Sequence, residues 1–373
     1  MKMVNLTTWS ASFRQQRSVA PWTWPSRMMV VFSYLSTGMH GIQEMSTLES
    51  HTSRSILDLM RMVLLSAFLL FCTSACSSPP EARQQTIDGM LDVPGGRIYY
   101  ELSNPEAEGI PLLLIHGGPG GTSCGFGLLD DLILDRPVIR YDQLETGKSD
   151  RPGNRENWNI GQSVAEIEAI REVMGLDELH ILGLSWGGSV AAEYGLEGDT
   201  TGVHSIILGG PLLSTPIWLE DAAVLVSEMP LELQNTIRLH ENAGTYSHPD
   251  YVAATDSFYS RFLYHQPEKD VPECQGVRGN SEVYNTMWGP TEFASTGTLL
   301  NFDRTDRLHE LNMPVLFIAG EFDEARPETM HRFASLVPNA EVEIIADAGH
   351  MAMIDKPEEY AAVVSSYLRS IEQ

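Results

Sequence analysis

Gly183-Leu184-Ser185-Trp186-Gly187-Gly188 is the stretch that decides how the rest of the chain is read. Before it, Glu178-Leu179-His180-Ile181-Leu182 is an apolar run of strand length, and after it Ser189-Val190-Ala191-Ala192-Glu193-Tyr194 reads as the first turns of a helix. A serine between glycines at a strand-to-helix junction matches the pattern G-x-S-x-G, a tight turn that holds the serine in strained backbone geometry and exposes its hydroxyl. Residues two before and two after the serine must be nearly free of side chain, and Gly183 and Gly187 meet that demand. The hydroxyl then emerges at the carboxyl end of a sheet, with the next backbone N–H aimed at the same point. An ordinary glycine-rich turn has the same local signature, so other stretches must supply the partners of a nucleophile.

Working outward, two β-like runs from Thr86 to Ser103 flank Pro94-Gly95-Gly96 and predict an edge hairpin. Pro111 to Ile115 is a continuous apolar run, as expected of a strand buried on both faces, and it ends in His116-Gly117-Gly118-Pro119-Gly120-Gly121. Pro137 to Asp142 is the next strand, Ile160 to Met174 a helix, and Val203 to Leu208 a further strand. The rhythm then breaks: residues 212–308 hold helical stretches and aromatics with no alternating strand. It resumes with a strand over Pro314 to Gly320, a helix from Pro327, a strand over Ala340 to Ile345 and a helix from Pro357. Alternating strands and helices predict a mostly parallel sheet covered on both faces. Residues 86–211 and 309–373 form this core, and 212–308 a helical cap over the carboxyl edge, where open α/β sheets bind ligands.

A serine hydroxyl needs a base, and the base needs an orienting acid. In this topology the expected chain order is serine, acid, histidine. Glu321-Phe322-Asp323-Glu324 follows the penultimate strand and Ala348-Gly349-His350 the last one, both at the edge that Ser185 occupies. Ser185, Asp323 and His350 are therefore the candidate triad, with Glu321 and Glu324 as rival acids. An oxyanion requires two backbone donors. Trp186, directly after the nucleophile, supplies one, and Gly118 in the glycine-rich loop is the best candidate for the other.

His116-Gly117-Gly118-Pro119-Gly120, then Tyr141-Asp142-Gln143 leading to Gly147-Lys148-Ser149, then the hexapeptide at Ser185 together resemble the proline iminopeptidase family. The resemblance implies an α/β-hydrolase fold, a mostly parallel central sheet with helices on both faces and an inserted helical cap, carrying a serine aminopeptidase without a cofactor. Met287-Trp288-Gly289-Pro290-Thr291-Glu292-Phe293 is similar to the archaeal tricorn-interacting aminopeptidase branch. It further implies that Glu292 and Glu324, with Tyr284, bind the free amine of a short peptide. A buried ammonium needs carboxylate partners, so the physics agrees. The implied reaction releases an N-terminal proline or small apolar residue through an acyl-enzyme. Two alternatives use the same machinery: an L-amino acid amidase and a carboxylesterase that ignores the amine. The chain departs from the family at position 145, where Glu145 replaces a glycine; if that site needs positive φ, the loop is strained.

Composition sets the remaining bounds. Of 373 residues, 43% are hydrophobic and 20% charged, ordinary for a protein with a sizeable core, and the net charge of −26 argues against nucleic acid. Residues 1–59 show neither periodicity nor caps and read as an extension upstream of a true start at Met60 or Met62. Residues 60–76 have a basic residue, a short apolar run and small residues, the form of an export signal too short for the ~20 residues of a membrane-spanning helix. Cys76 resembles a lipobox cysteine, with Thr73 in place of the usual leucine, so the expectation is export to a bacterial periplasm or envelope with a candidate lipid anchor at Cys76. Cys124 and Cys274 are the two remaining cysteines; export permits their pairing without establishing it. With no C-x-x-C and no H-E-x-x-H, no metal site is expected.

Overall fold

In the runs Leu112–Ile115 and Val315–Ala319 apolar residues succeed one another without alternation, and the computed structural model shows where each set goes. It describes residues 86–266, 271 and 274–373. The expected extension over 1–59 and the signal over 60–76, with Cys76, lie outside the described residues. Strand β3 (Leu112–Ile115) sends Leu112 and Leu114 into one apolar cluster and Leu113 and Ile115 into another. Strand β7 (Val315–Gly320) divides likewise, with Leu316 and Ile318 on one side and Val315 and Phe317 on the other. At these two strands the sheet is therefore buried on both faces, whereas the edge strands β1 (Thr86–Val93) and β8 (Ala340–Ile345) keep polar, partly exposed positions.

Eight strands form one sheet in the order β1-β2-β4-β3-β5-β6-β7-β8. β1 (Thr86–Val93) and β2 (Gly96–Ser103) make the expected hairpin, and β2 also pairs antiparallel with β4 (Val138–Asp142). β5 (Leu179–Leu184), β6 (Val203–Gly209), β7 and β8 (Ala340–Ile345) continue as parallel neighbours. A short helix α1 (Gly127–Asp130) follows β3. Helix α2 (Ile160–Met174) begins where the Asn159 side chain accepts from the Gln162 N–H and ends at Gly175 in the left-handed region. α2 and the helix after the elbow, α3 (Trp186–Glu197), cover one face of the sheet.

Between β6 and β7 lie α4 (Thr215–Ser227), α5 (Leu231–Ala243), α6 (Pro249–Phe262) and α7 (Ser281–Met287). Ala222, Leu225, Tyr251, Phe258, Phe262 and Phe293 form a separate apolar cluster among them. Trp218, Met287 and Trp288 join the main core instead and seat this insertion on the sheet. After β7 come α8 (Pro327–Ala334), then β8, a short α9 (Ala352–Asp355) and α10 (Pro357–Ile371), which covers the opposite face. α1 and α9 leave no mark in the sequence, each being too short for a periodic pattern. Among the described residues no helix is long and apolar enough to cross a membrane.

Candidate active site

The turn at Ser185 is as tight as its glycines imply. Ser185 has φ 57° and ψ −119°, a conformation that side-chain-bearing residues rarely adopt. A Cβ on Gly183 would sit 2.1 Å from the Gly187 carbonyl oxygen, and one on Gly187 would sit 2.0 Å from the Ile115 oxygen. Only glycine fits either position. A Cβ on Gly117 would lie 2.9 Å from Ser185 Cβ and 3.5 Å from Ser185 Oγ, which brings the loop after β3 against the hydroxyl. The next residue, Gly118, has φ +122°. Trp186 opens α3, where its N–H has no intrahelical acceptor, as at every helix N-terminus.

The candidate acid and base arrive from the far ends of β7 and β8. Asp323 Oδ1 lies 2.7 Å from His350 Nδ1 and also accepts from the Ala325 N–H. Of the rival acids, Glu321 instead accepts from the Asp347 N–H at 3.0 Å. Gly209 and Gly210, at the end of β6, join the two halves of the site. The Gly209 oxygen accepts from the Ser185 N–H at 2.8 Å, while a Cβ on Gly210 would lie 2.8 Å from the His350 ring and 3.0 Å from Asp323 Oδ2. The His350 N–H donates to the Phe262 oxygen at the end of α6, which ties this loop to the cap, and the Gly349 N–H donates to Asp355 of α9 in the core.

Above the imidazole stands a second acidic pair. Glu324 is 2% exposed, neither of its carboxylate oxygens has a hydrogen-bond partner among the described residues, and Oε1 lies 3.9 Å from His350 Nε2. Glu292, from the loop after α7, accepts from the Tyr284 hydroxyl at 2.7 Å. Burial, reinforced by the Glu292 charge, pushes the Glu324 carboxyl well above the usual range, and burial raises Glu292 too. Burial pulls His350 down, but Asp323, by charge and hydrogen bond, followed by Glu324 and Glu292, outweighs it and leaves the imidazole at about 9. The site thus gathers three carboxyls, Asp323, Glu324 and Glu292, around one imidazole, and burial favours the protonated form of the last two.

The α/β-hydrolase fold family matches residues 110–357 of the chain. Proline iminopeptidase of Heyndrickxia coagulans is 42% identical over 287 residues, spanning 76% of this chain and 99% of that protein. The enzyme of the same name from Clostridioides difficile is 34% identical over 287 residues, with 76% and 98% covered. Among solved structures, the Mycobacterium smegmatis proline iminopeptidase superposes with a TM-score of 0.70 at 31% identity, covering 76% of this chain and 98% of that one. The chain belongs to the proline iminopeptidase family of α/β hydrolases.

Within that family frame, three features of this member were not assigned from sequence. Cys124, just past the Gly118 loop, and Cys274, just ahead of α7, are joined as a disulfide with Cα atoms 5.0 Å apart. Two cysteines 150 positions apart carry no pairing signal in sequence. Trp218 of α4 sets its ring edge-on to His350, 5.6 Å between centroids, and donates from Nε1 to the Glu292 main-chain oxygen at 2.9 Å. Nothing short of the packed cap shows that contact. Glu145 does occupy positive φ, at 75°, so the strained alternative holds there.

The sequence reading expects no metal site. In the cap, His240, His248 and Asp250 do bring ligand atoms within 4.8 Å of one another. The two rings stack at 4.3 Å with 22° between planes, so their in-plane lone pairs run side by side instead of converging. His240 Nδ1 is engaged with Thr245 Oγ1, and His248 Nδ1 with the Asp250 N–H.

Proposed function

We propose that this protein is a serine aminopeptidase that releases an N-terminal proline or small apolar residue from short peptides. The observation that carries this reading is Glu324, a carboxylate buried without a hydrogen-bond partner beside the base, facing a second carboxyl at Glu292. A substrate ammonium placed there favours ionisation of these carboxyls and supplies the counter-charge that a buried carboxylate needs. Anchoring that amine beside Ser185 restricts attack to the first peptide bond.

In the proposed reaction Ser185 Oγ adds to the scissile carbonyl while His350 Nε2 takes its proton and Asp323 holds the imidazole through Nδ1–H. The N–H groups of Gly118 and Trp186 receive the oxyanion. His350 then gives the proton to the leaving amine, and water hydrolyses the acyl-enzyme by the same route. Binding of the ammonium brings a positive charge beside Glu324 and Glu292, offsets their upward pull on His350 and so lowers the pKa of the base when substrate is present.

The same machinery accepts L-amino acid amides such as prolinamide as a second substrate class. The segment Met287 to Phe293 supports a place near the tricorn-interacting branch. The Cys124–Cys274 disulfide, together with the signal-like residues 60–76, supports export to an oxidising envelope compartment, with lipid attachment at Cys76. A panel of aminoacyl-naphthylamides, each with and without an N-acetyl block, tests the function. Free substrates should be cleaved and blocked ones not; equal rates on both would defeat the reading in favour of a carboxylesterase. kcat/KM on Pro-Ala against prolinamide separates peptidase from amidase.

A further inference from the structure

Gln143 is hydrogen-bonded to active-site framework that follows two other strands, β3 and β5, and none of its hydrogen bonds among the described residues goes to Ser185 or His350. It follows β4 and is 4% exposed. Its Oε1 accepts from the indole Nε1–H of Trp186 at 3.1 Å, and its Nε2 donates to the His116 main-chain oxygen at 2.8 Å. An indole nitrogen only donates and a carbonyl oxygen only accepts, so these two partners fix which way the amide points. The grip is returned: the Gln143 main-chain N–H donates to His116 Nε2 at 3.0 Å. That bond requires an unprotonated Nε2, leaves the proton on Nδ1, 2.9 Å from the Gly117 oxygen, and agrees with burial lowering the pKa of His116.

The consequence lies in what the two arms hold. Trp186 carries one candidate oxyanion donor on its own N–H, and the His116 peptide lies two residues before the other, Gly118. Oxyanion donors act only if both are held at the position the developing charge will occupy. We infer that Gln143 is a positioning residue that sets the spacing of the two oxyanion donors, by clamping the side chain of one donor residue to the loop carrying the other. The inference rests on the reading of the site as an acyl-transfer centre. Any small apolar replacement leaves the Trp186 Nε1–H buried without a partner and frees the loop after β3 to shift.

The test measures kcat and KM on proline β-naphthylamide for wild type, Gln143→Leu, Trp186→Phe and the double variant. It adds Ki values for an N-terminal proline aldehyde and for free proline. The aldehyde forms a hemiacetal: its carbon bonds Ser185 Oγ, the serine proton passes to His350, and the former carbonyl oxygen occupies the oxyanion hole. Each single variant should lose about ten- to hundred-fold in kcat with KM within about threefold, since misplaced donors cost the transition state rather than substrate binding. The aldehyde Ki should weaken by the same factor, the proline Ki should hold, and the double variant should lose no more than either single one. Unchanged kcat, a loss confined to KM, or multiplicative losses in the double variant would overturn the inference. If Gln143→Leu does not fold, Trp186→Phe removes the same bond from its other end and decides alone. A wild type inactive on the naphthylamide would sink the functional reading, an outcome distinct from active variants indistinguishable from an active wild type.

Discussion

The rim of the sheet and the cap above it reach the same site by different kinds of constraint. At the rim, positions are set by the main chain: Gly183, Gly187 and Gly210 are glycines because a single added carbon would collide with backbone or with the His350 ring. In the cap, positions are set by side chains packed on side chains: Trp218 against His350, Tyr284 against Glu292, Phe258 against Phe293. Backbone necessity leaves a mark on the local sequence, whereas packing between distant helices does not. The rim should therefore carry the chemistry and tolerate little, while the cap should carry selectivity.

The sharpest way to break that division is at the nucleophile. Ser185→Ala keeps the turn and removes only the hydroxyl, so kcat should fall by about 10⁴-fold or more with the thermal midpoint close to wild type. Residual activity above that level, on free or blocked substrates, would move the chemistry away from the rim.

The next test separates the two regions through the substrate amine. Glu324→Gln or Glu292→Gln should lower kcat/KM on free-amine substrates by about 10²-fold, as expected for losing one partner of a buried charge pair. Cleavage of an acetyl ester should be nearly unaffected. A second readout follows from burial. Glu324 titrates well above an ordinary carboxyl, so its folded state favours the protonated form. Its stability contribution is full below the unfolded pKa and is lost as pH rises toward the folded one. Glu324→Gln should therefore match wild type near pH 4 and melt roughly 3–5 °C higher near pH 8. The base gives a pH signature as well. The acid limb of kcat/KM, which reports the free site where His350 sits at about 9, should lie above the acid limb of kcat, where the bound ammonium has relieved the carboxylates. Coincident limbs would separate the amine from Glu324 and Glu292.

These contrasts explain what could be read before the structure. The strand positions, the helices at Ile160–Met174 and Pro357–Ile371, and the juxtaposition of Asp323 with His350 follow from apolar runs, caps and turn glycines, all local in sequence. The order β1-β2-β4-β3-β5-β6-β7-β8, in contrast, depends on pairing between distant strands. Glu292 and Tyr284 came only through family resemblance, since a glutamate in a helical insertion looks like any solvated charge. Trp218 and the Gln143 clamp escaped because each works through contacts made across tens of residues, 74 between Trp218 and Glu292 and 43 between Trp186 and Gln143. Gln143 was visible inside a motif without any signal of its role.

The disulfide tests the boundary between the regions, because Cys274 belongs to the cap chain and Cys124 to the rim loop. Next to it the Asn280 N–H donates to the Gly120 oxygen at 2.7 Å, so α7 docks on the loop that carries Gly118. A cross-link spanning 150 residues is worth up to about 5 kcal/mol in loop entropy. Replacing both cysteines by serine, or reducing the wild type, should lower the thermal midpoint by roughly 10 °C. The rise in KM for free-amine substrates should exceed any change in fluorophosphonate labelling of Ser185. Equal effects on both would show that the staple supports the rim, not the cap.

The smallest expected effect concerns a rim position where the backbone rule is violated. Glu145 sits at φ 75°, a region that disfavours residues with a Cβ by about 1–2 kcal/mol. Glu145→Gly removes that strain, but it also adds unfolded-chain freedom worth about 0.4–1 kcal/mol. In addition it deletes the bond in which Glu145 Oε1 accepts from the Gly153 N–H at 2.6 Å. The main-chain bonds of the loop survive: the Glu145 N–H donates to the Asp150 oxygen, and the Asn280 amide donates to the Glu145 oxygen. The three contributions nearly cancel, so stability measured by urea titration should change by less than about 1 kcal/mol in either direction. kcat and KM should stay within about twofold, because the oxyanion loop is held by Gln143 rather than by this side chain. A loss of activity at constant stability would mean that the Glu145–Gly153 bond helps to shape the site, and that side-chain contacts can take over at the rim where glycine has been lost.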